Sequence, residues 1–275
     1  MSRARPIAIV KGAGDLGSGV AYRLWKSGFR VLCIDLEKPM VIRRMVSFAS
    51  ALYTNRIAVE GIVAAKISYT DEAVYLWQRE TMPVMADPVA RAVEVLQPEI
   101  VVDVIMAKHN INTRITDAPV VIACGPGFKA GEVCHAVVET NRGHDLGRVI
   151  WTGAAEPNTG TPGKVGGQDT LRVVRAPVAG MFYGRKAIGD RVKQGDLIAT
   201  VGTTPVYAML AGVVRGMLHD GVPVTENFKV GDIDPRGDAR YCYTISDKAL
   251  AIGGGVMEAV FTLRDKWQEK PDYIP

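Results

Sequence analysis

Cysteine and histidine are scarce, four of each in 275 residues, and aromatic residues make up only 7%. Cys33, Cys124, Cys134 and Cys242 show no close pairing, which argues against a disulfide scaffold and fits a reducing compartment. Among them Cys124, beside a glycine-rich stretch, is the thiol best placed to meet a ligand. Neither C-x-x-C nor H-E-x-x-H occurs, so no metal site is expected. Cys134 and His135 are adjacent and on a strand would point to opposite faces. His135 and Glu139 would share a face but stand about 13 Å apart by strand rise, too far for a joint role. A long apolar run is also missing. The longest, from Ala249 to Leu263, is broken by Gly253, Gly254, Gly255 and Glu258 and falls short of the roughly 20 residues a spanning helix needs, so no membrane partner is expected. Arg3, Arg5 and Pro6 lead straight into a strand-like segment without the apolar stretch of a signal peptide, so a cytoplasmic location is expected. Lys and Arg exceed Asp and Glu by 33 to 29, and the net charge of +4 does not argue for a nucleic-acid partner.

What remains is an ordinary globular composition, 48% hydrophobic and 23% charged, sufficient for one large core or two modest ones. Residues 7 to 11 form a short apolar run, and Val20, Ala21, Leu24 and Trp25 then repeat at helical spacing up to Gly28. Residues 30 to 35 read as the next buried strand, so the unit is strand-helix-strand with parallel strands. A helix is predicted over Thr70 to Glu80 and a strand over Pro83 to Ala86. Asp87 and Pro88 open a helix whose apolar face is Val89, Ala92, Val93 and Leu96. Ile100 to Ile105 and Pro119 to Cys124 read as further strands. Beyond residue 133 the helical period disappears. Residues 133 to 138 and 148 to 151 suggest a hairpin, and residues 156 to 168 are rich enough in Gly and Pro to mark a boundary or lid.

An internal repeat follows. Val178-Ala179-Gly180-Met181 corresponds to Leu210-Ala211-Gly212-Val213 at an offset of 32, and Val192 to Leu197 corresponds to Phe228 to Ile233 at an offset of 36. Short strands with Gly-Asp turns in two related halves resemble the barrel-sandwich hybrid of biotinyl and lipoyl carrier domains. Such carriers bear a modifiable lysine on the hairpin joining the halves, here near Thr203 to Val206. No lysine lies between Lys193 and Lys229, so no biotin or lipoyl attachment is expected. The expected fold class is α/β, with a Rossmann-like parallel sheet in residues 1–132, a β-hairpin and Gly/Pro-rich connector in 133–171, a barrel-sandwich-hybrid-like β module in 172–245 and a C-terminal helix and tail in 246–275.

The candidate site begins with Gly12-Ala13-Gly14-Asp15-Leu16-Gly17, a G-x-G-x-x-G between the first strand and the first helix. Gly12 permits the tight turn, Gly14 lets a pyrophosphate approach backbone, and Gly17 allows close packing, while free N–H groups at the helix start favour an anion. Asp35 ends the second strand, where it could accept ribose hydroxyls and favour NAD over NADP. Its replacement by Ala would then weaken only ligands that carry a ribose. The other reading of the loop is purely structural, with Asp15 repelling a pyrophosphate. A second cluster, Gly125 to Gly131, and the polar stretch Met106 to Arg114 leave other strand ends. Lys108, Asn110, Gly125 and Gly127 could converge on the Gly12 loop if one sheet holds both.

Several segments occur in this order: Gly12 to Gly19, Gly125-Pro126-Gly127-Phe128, His135 to Thr140, Arg142-Gly143-His144-Asp145-Leu146-Gly147-Arg148, Pro157-Asn158-Thr159-Gly160, Gly231-Asp232-Ile233-Asp234-Pro235-Arg236 and Ile252-Gly253-Gly254-Gly255. Together they resemble the YqeB family of selenium-dependent molybdenum hydroxylase accessory proteins. The resemblance implies a role in producing or maturing such a hydroxylase through its molybdenum cofactor or a labile selenium, and supplies no catalytic residues. Three functions stand open. The first is a maturation factor that binds NAD, a molybdopterin nucleotide or a related cofactor and serves a molybdenum hydroxylase partner. The second is an NAD-dependent oxidoreductase on a small metabolite, which lacks an evident hydride-transfer constellation. The third is a non-enzymatic interaction module whose β half docks a partner through an apolar patch or strand edge. Homo-oligomerisation is compatible with each.

Overall fold

A computed structural model describes residues 5–158, 166–168 and 170–268. Most of the lid candidate (residues 159–165, with Thr159 and Gly160 of the family motif), residue 169 and the end of the tail lie outside the described residues. In the first half the chain runs β1 (Ile7–Lys11), α1 (Asp15–Lys26), β2 (Arg30–Asp35), α2 (Ala51–Thr54), β3 (Arg56–Val59), β4 (Ile62–Ile67), α3 (Glu72–Gln78), β5 (Met82–Ala86), α4 (Arg91–Leu96), β6 (Ile100–Asp103), β7 (Val120–Cys124), β8 (Ala136–Val138) and β9 (Val149–Ile150). These strands form one nine-stranded sheet in the order β3-β4-β5-β2-β1-β6-β7-β8-β9, parallel except at its two ends. With the β3–β4 hairpin set aside, the order is that of a doubly wound sheet, which reverses direction at β1. The near-continuous apolar strands fit burial on both faces, since one core lies under α1 and another under α3 and α4.

Two local expectations change. The hairpin at 133–171 is continuous with the central sheet, because β8 pairs in parallel with β7 and carries β9 on its outer side. The helix after Pro88 starts later than expected, at Arg91, although Asp87 does cap it by accepting the Arg91 and Ala92 N–H groups at 3.0 and 2.8 Å. Val89 therefore lies outside the helix and is exposed.

No helix crosses between β6 and β7 or between β7 and β8. The sheet face left bare there is covered by α6 (Asp247–Thr262), which returns from the far end of the chain, after α5 (Arg240–Tyr243), and packs along α1. Glycines make that approach possible: a Cβ on Gly19 would lie 2.7 Å from Ala249, and one on Gly253 would lie 2.8 Å from the Gly19 carbonyl. Gly253 and Gly255 thus serve close packing, whereas a Cβ on Gly254 would meet nothing within 4 Å. A short helix α7 (Arg264–Gln268) follows, and among the described residues no helix is long and apolar enough to cross a membrane.

The β module contains β10 (Val173–Arg175), β11 (Gly180–Gly184), β12 (Arg191–Val192), β13 (Leu197–Val201), β14 (Thr204–Tyr207), β15 (Gly212–Met217), β16 (Val222–Val224) and β17 (Lys229–Asp234). They build two four-stranded antiparallel sheets, β10-β17-β15-β12 and β14-β13-β11-β16, around a shared core. The repeat has a single spacing of 32 residues rather than two. Ala208 N–H donates to the Asp196 carbonyl at 2.9 Å just as Ala176 N–H donates to the Phe228 carbonyl at 2.9 Å, and Gly195 donates to Ala208 at 2.8 Å as Asn227 donates to Ala176 at 2.9 Å. The turn at Lys193 to Asp196 therefore corresponds to Thr225 to Phe228. The resemblance of Lys193-Gln194-Gly195-Asp196 to Lys229-Val230-Gly231-Asp232, which suggested an offset of 36, matches a turn with a strand. Edge strands β14 and β16 carry Pro205 and Pro223, which discourages edge-to-edge pairing.

Candidate functional site

The sheet reverses direction between β1 and β6, and loops leaving the carboxyl ends of those strands splay apart there. Between them lies a cavity of about 570 Å³ lined by the Gly12 loop, the segment 39–43, Val104, Ile105, Met106, Ile111 and, from the β module, Lys229. Gly12 turns the chain at a φ of 87°, and a Cβ there would stand 2.8 Å from the Val104 and Ile105 backbone. A Cβ on Gly17 would stand 1.8 Å from the Gly12 carbonyl oxygen. Gly14 differs, because its φ of −63° is ordinary and its Cβ would meet only Val41, at 3.7 Å. Gly14 is the N-cap of α1 with no side-chain hydrogen bond capping the first turn, and Gly14, Asp15, Leu16 and Gly17 all line the cavity. Across from them Met106 and Lys108 adopt left-handed φ values of 62° and 67°, rare for non-glycine residues and common where a loop is shaped for function.

The three carboxylates on the wall already accept hydrogen bonds or pair with a cation. Asp35 accepts the Ala13 and Leu36 N–H groups, each at 2.7 Å; burial raises its pKa, opposed by those two bonds. Asp87 caps α4. Asp15 pairs with Arg43 at 3.4 Å, which removes the repulsion its charge would exert on an anion. Several donors on the same wall are less fully engaged. Arg43 is 8% exposed; its Nη2 donates to the Tyr241 and Thr244 carbonyls at 3.0 Å, while its Nε has no partner. Lys11, the last residue of β1, is 1% exposed; its ammonium donates to Thr113 Oγ1 and stands 3.6 Å from Asp103, its register partner on β6. Burial lowers the Lys11 pKa, with Asp103 acting in the opposite direction. The free donors on the wall are thus the first-turn amides of α1, and the guanidinium of Arg43 and the ammonium of Lys11 add positive charge beside them, so the wall suits an anion.

The sequence-predicted residues fall into two groups. Gly12, Gly14, Asp15, Gly17 and Asp35 line one cavity, whereas Lys108, Asn110, Gly125 and Gly127 do not line it. Asn110 is structural: its side chain accepts the Thr113 N–H and donates to the Thr113 carbonyl, both at 2.8 Å. A Cβ on Gly127 would lie 2.6 Å from the His109 backbone, and one on Gly125 2.7 Å from Thr140 Oγ1, so these two glycines are closed in by their neighbours. Cys124 is buried in the core, where desolvation pushes its thiol pKa up, and it does not reach the cavity. Asp35 holds the glycine loop, so its loss would disturb every ligand of the loop, not only those bearing a ribose. Sequence reasoning missed Lys11, Asp103, Thr113 and Arg43. The available signal was a charged residue ending each of two otherwise apolar strands, Lys11 on β1 and Asp103 on β6.

Several of the family-like segments hold the surrounding structure together. Asp232 pairs with Arg172, and Asp234 with Arg236 at 2.6 Å and Arg215 at 3.6 Å. Arg215 and Arg43 both donate to the Tyr241 carbonyl, at 3.4 and 3.0 Å, which ties the β module to the cavity wall. Arg142 forms a two-pronged pair with Asp247 at 2.9 Å and anchors the 142–148 loop to the start of α6. Glu139, 2% exposed, accepts the Thr140, Asn141 and Glu156 N–H groups at 2.7 Å, while His135 Nδ1 accepts the Val121 N–H at 3.0 Å, so the two have separate structural roles.

Fold and site together define a mixed α/β protein with a large parallel-rich sheet, an antiparallel β module and an anion-suited cavity where the sheet reverses. No family model matches the sequence. Over 257 residues, 94% of its length, the chain is 50% identical to the uncharacterized protein YqeB of Escherichia coli (strain K12), and this homology supports membership of the YqeB family. The chain spans about half of that relative, 48% of its length. Among solved structures, an aspartoacylase family protein from Mesorhizobium loti aligns over 83% of this chain and 84% of its own at 12% identity and a TM-score of 0.26. The product-bound ectoine utilization protein EutE (DoeB) from Ruegeria pomeroyi aligns over 84% and 85% at 13% identity, also with a TM-score of 0.26. Similarity at that level carries no inference about this chain.

Proposed function

We propose that the chain is an accessory protein in the maturation of a selenium-dependent molybdenum hydroxylase, and that its cavity holds the anionic part of a nucleotide-containing or molybdopterin-type cofactor. NAD and a molybdopterin nucleotide are the leading candidates, the hydroxylase is the partner, and the setting is the cytoplasm. The observation that carries the binding half is the uncapped first turn of α1, on one wall with the positive charges of Arg43 and Lys11. The maturation half rests on the family-like segments and on the homology to YqeB. The 32-residue two-fold of the β module supports its reading as a barrel-sandwich hybrid that has lost carrier duty, since the turn between β13 and β14 is Gly202-Thr203 and bears no lysine.

Thermal shift with NAD, NADP, ATP, CTP and a molybdopterin nucleotide tests the reading. A ligand at 100 times its dissociation constant should stabilise by about 2.7 kcal/mol. No shift with any of them would remove the cofactor proposal, and a shift with NAD alone would favour the oxidoreductase.

The interaction-module reading is favoured by one observation. Met181, Tyr183, Leu197 and Tyr207 are exposed on the outer face of the β14-β13-β11-β16 sheet. The two-fold equivalents of Tyr183 and Leu197 are Arg215 and Lys229, which face the rest of the chain. At these two positions one outer face is charged and covered while its counterpart is apolar and bare, as expected of a surface that meets another polypeptide.

A further inference from the structure

The binding role of the cavity does not account for one arrangement behind its wall, in which Lys11 lines the cavity and Thr113 and Asp103 lie buried beyond it. Lys11 Nζ donates to Thr113 Oγ1, and that hydroxyl donates to Asp103 Oδ2 at 2.5 Å. A proton moved one step along each bond leaves a neutral amine on the cavity wall and a protonated Asp103, with no exchange with solvent. The side chains of Lys11 and Asp103 are only 2% and 1% exposed, and burial of this kind narrows the gap between the ion pair and the neutral pair. The relay is held from outside: Asn110 clamps the Thr113 backbone on both sides, and the Ile105 N–H donates to Asp103 Oδ1 at 3.0 Å. An ammonium that only attracted an anion would not need a hydroxyl between itself and its counter-ion.

We propose that Lys11 is a reactive amine that forms an imine with the carbonyl carbon of a small anionic aldehyde or ketone, whose anionic group is held by the α1 amides and Arg43. The inference rests on the reading of the cavity as an anion site. Once its proton has passed through Thr113 to Asp103, the Nζ lone pair attacks the carbonyl carbon; a C–N bond forms and the carbonyl π pair moves onto oxygen. A proton leaves nitrogen for that oxygen, Asp103 returns its own proton to the same oxygen through Thr113, and the C–O bond breaks to release water. Ammonium and carbonyl have become iminium and water, with no net proton gained or lost, and Asp103 is again a carboxylate beside the positive charge.

The test uses the full chain, pyridoxal 5′-phosphate as the anionic aldehyde, pyridoxal as its phosphate-free counterpart, and borohydride reduction followed by peptide mapping. Lys11 is expected to carry the principal adduct, above exposed Lys38 and Lys193, with pyridoxal 5′-phosphate labelling faster than pyridoxal. Thr113→Val should slow labelling at Lys11 by about 10- to 100-fold, and Thr113→Ser should restore it. An unlabelled Lys11, equal labelling by both aldehydes, or a Thr113→Val rate equal to the unsubstituted rate would each overturn the proposal. If nucleotides shift the melting temperature while Lys11 stays unlabelled, the imine is refuted and the cofactor reading stands.

Discussion

Both glycine clusters follow parallel strands of the same sheet, yet of the two only the first lines the cavity at the sheet reversal. The Gly12 loop leaves β1 where the sheet reverses direction, and at Gly14 it faces only Val41 across the cavity. The Gly125 loop leaves β7, two strands away, and Thr140, Met106 and the His109 backbone fill the room its missing side chains create. Glycine at a strand end is therefore not a ligand signal by itself. It permits close backbone approach, and topology decides whether the approaching group is a ligand or the chain itself.

Substitutions can break or sharpen this contrast. Gly17→Ala should have the largest effect, about 3 kcal/mol or more by urea unfolding, since its Cβ would fall 1.8 Å from the Gly12 oxygen. Gly127→Ala should cost about 1–3 kcal/mol because of its φ of 102° and the 2.6 Å approach to His109, yet the folded fraction should keep the whole ligand-induced shift. Asp35→Ala strands two loop N–H groups and should cost about 1–3 kcal/mol, weakening ligands with and without a ribose alike. Gly14→Ala should lower stability by no more than about 1 kcal/mol and still abolish the shift. Normal ligand binding by that variant would erase the contrast between the loops.

A smaller effect concerns a contact between the β module and the first half of the chain. His219 of the β module stacks on Tyr53 at 3.8 Å and its Nδ1 accepts from Arg44 at 3.3 Å; burial, then Arg44, lowers its pKa from 6.5 to about 4. Stability from this contact is complete above the unfolded value and should drain away as pH falls from about 6.5 to about 4, because the unfolded chain takes up the proton first. His219→Phe, which keeps the stacking, should flatten that part of the stability–pH curve, and an unchanged curve would refute the assignment.

The sequence made part of this legible. The β1-α1-β2 unit and the buried strands β5, β6 and β7 follow from apolar runs and glycine stops, signals set by local burial. The β3–β4 hairpin escaped notice because its turn is Glu60-Gly61, with φ values of 45° and 82°, rather than one of the usual Asn-Gly or Asp-Gly pairs. The covering role of α6 was equally hidden, since nothing local in Gly253 to Gly255 says that Gly19 waits more than two hundred residues upstream. Five of nine candidate site residues line the cavity because the loop motif fixes its own geometry. Lys11, Thr113 and Asp103 meet only through strand order, and Arg43 reaches the same cavity as Lys11 through a long-range seam, neither of which spacing along the chain encodes.

Amide chemical shifts recorded while pyrophosphate, AMP or NAD is added would test the central claim most directly. The account predicts that Gly14, Asp15, Leu16 and Gly17 move together and saturate while Gly125 to Gly131 stay still. Saturable movement confined to the second loop, or none at all up to millimolar ligand, would contradict it.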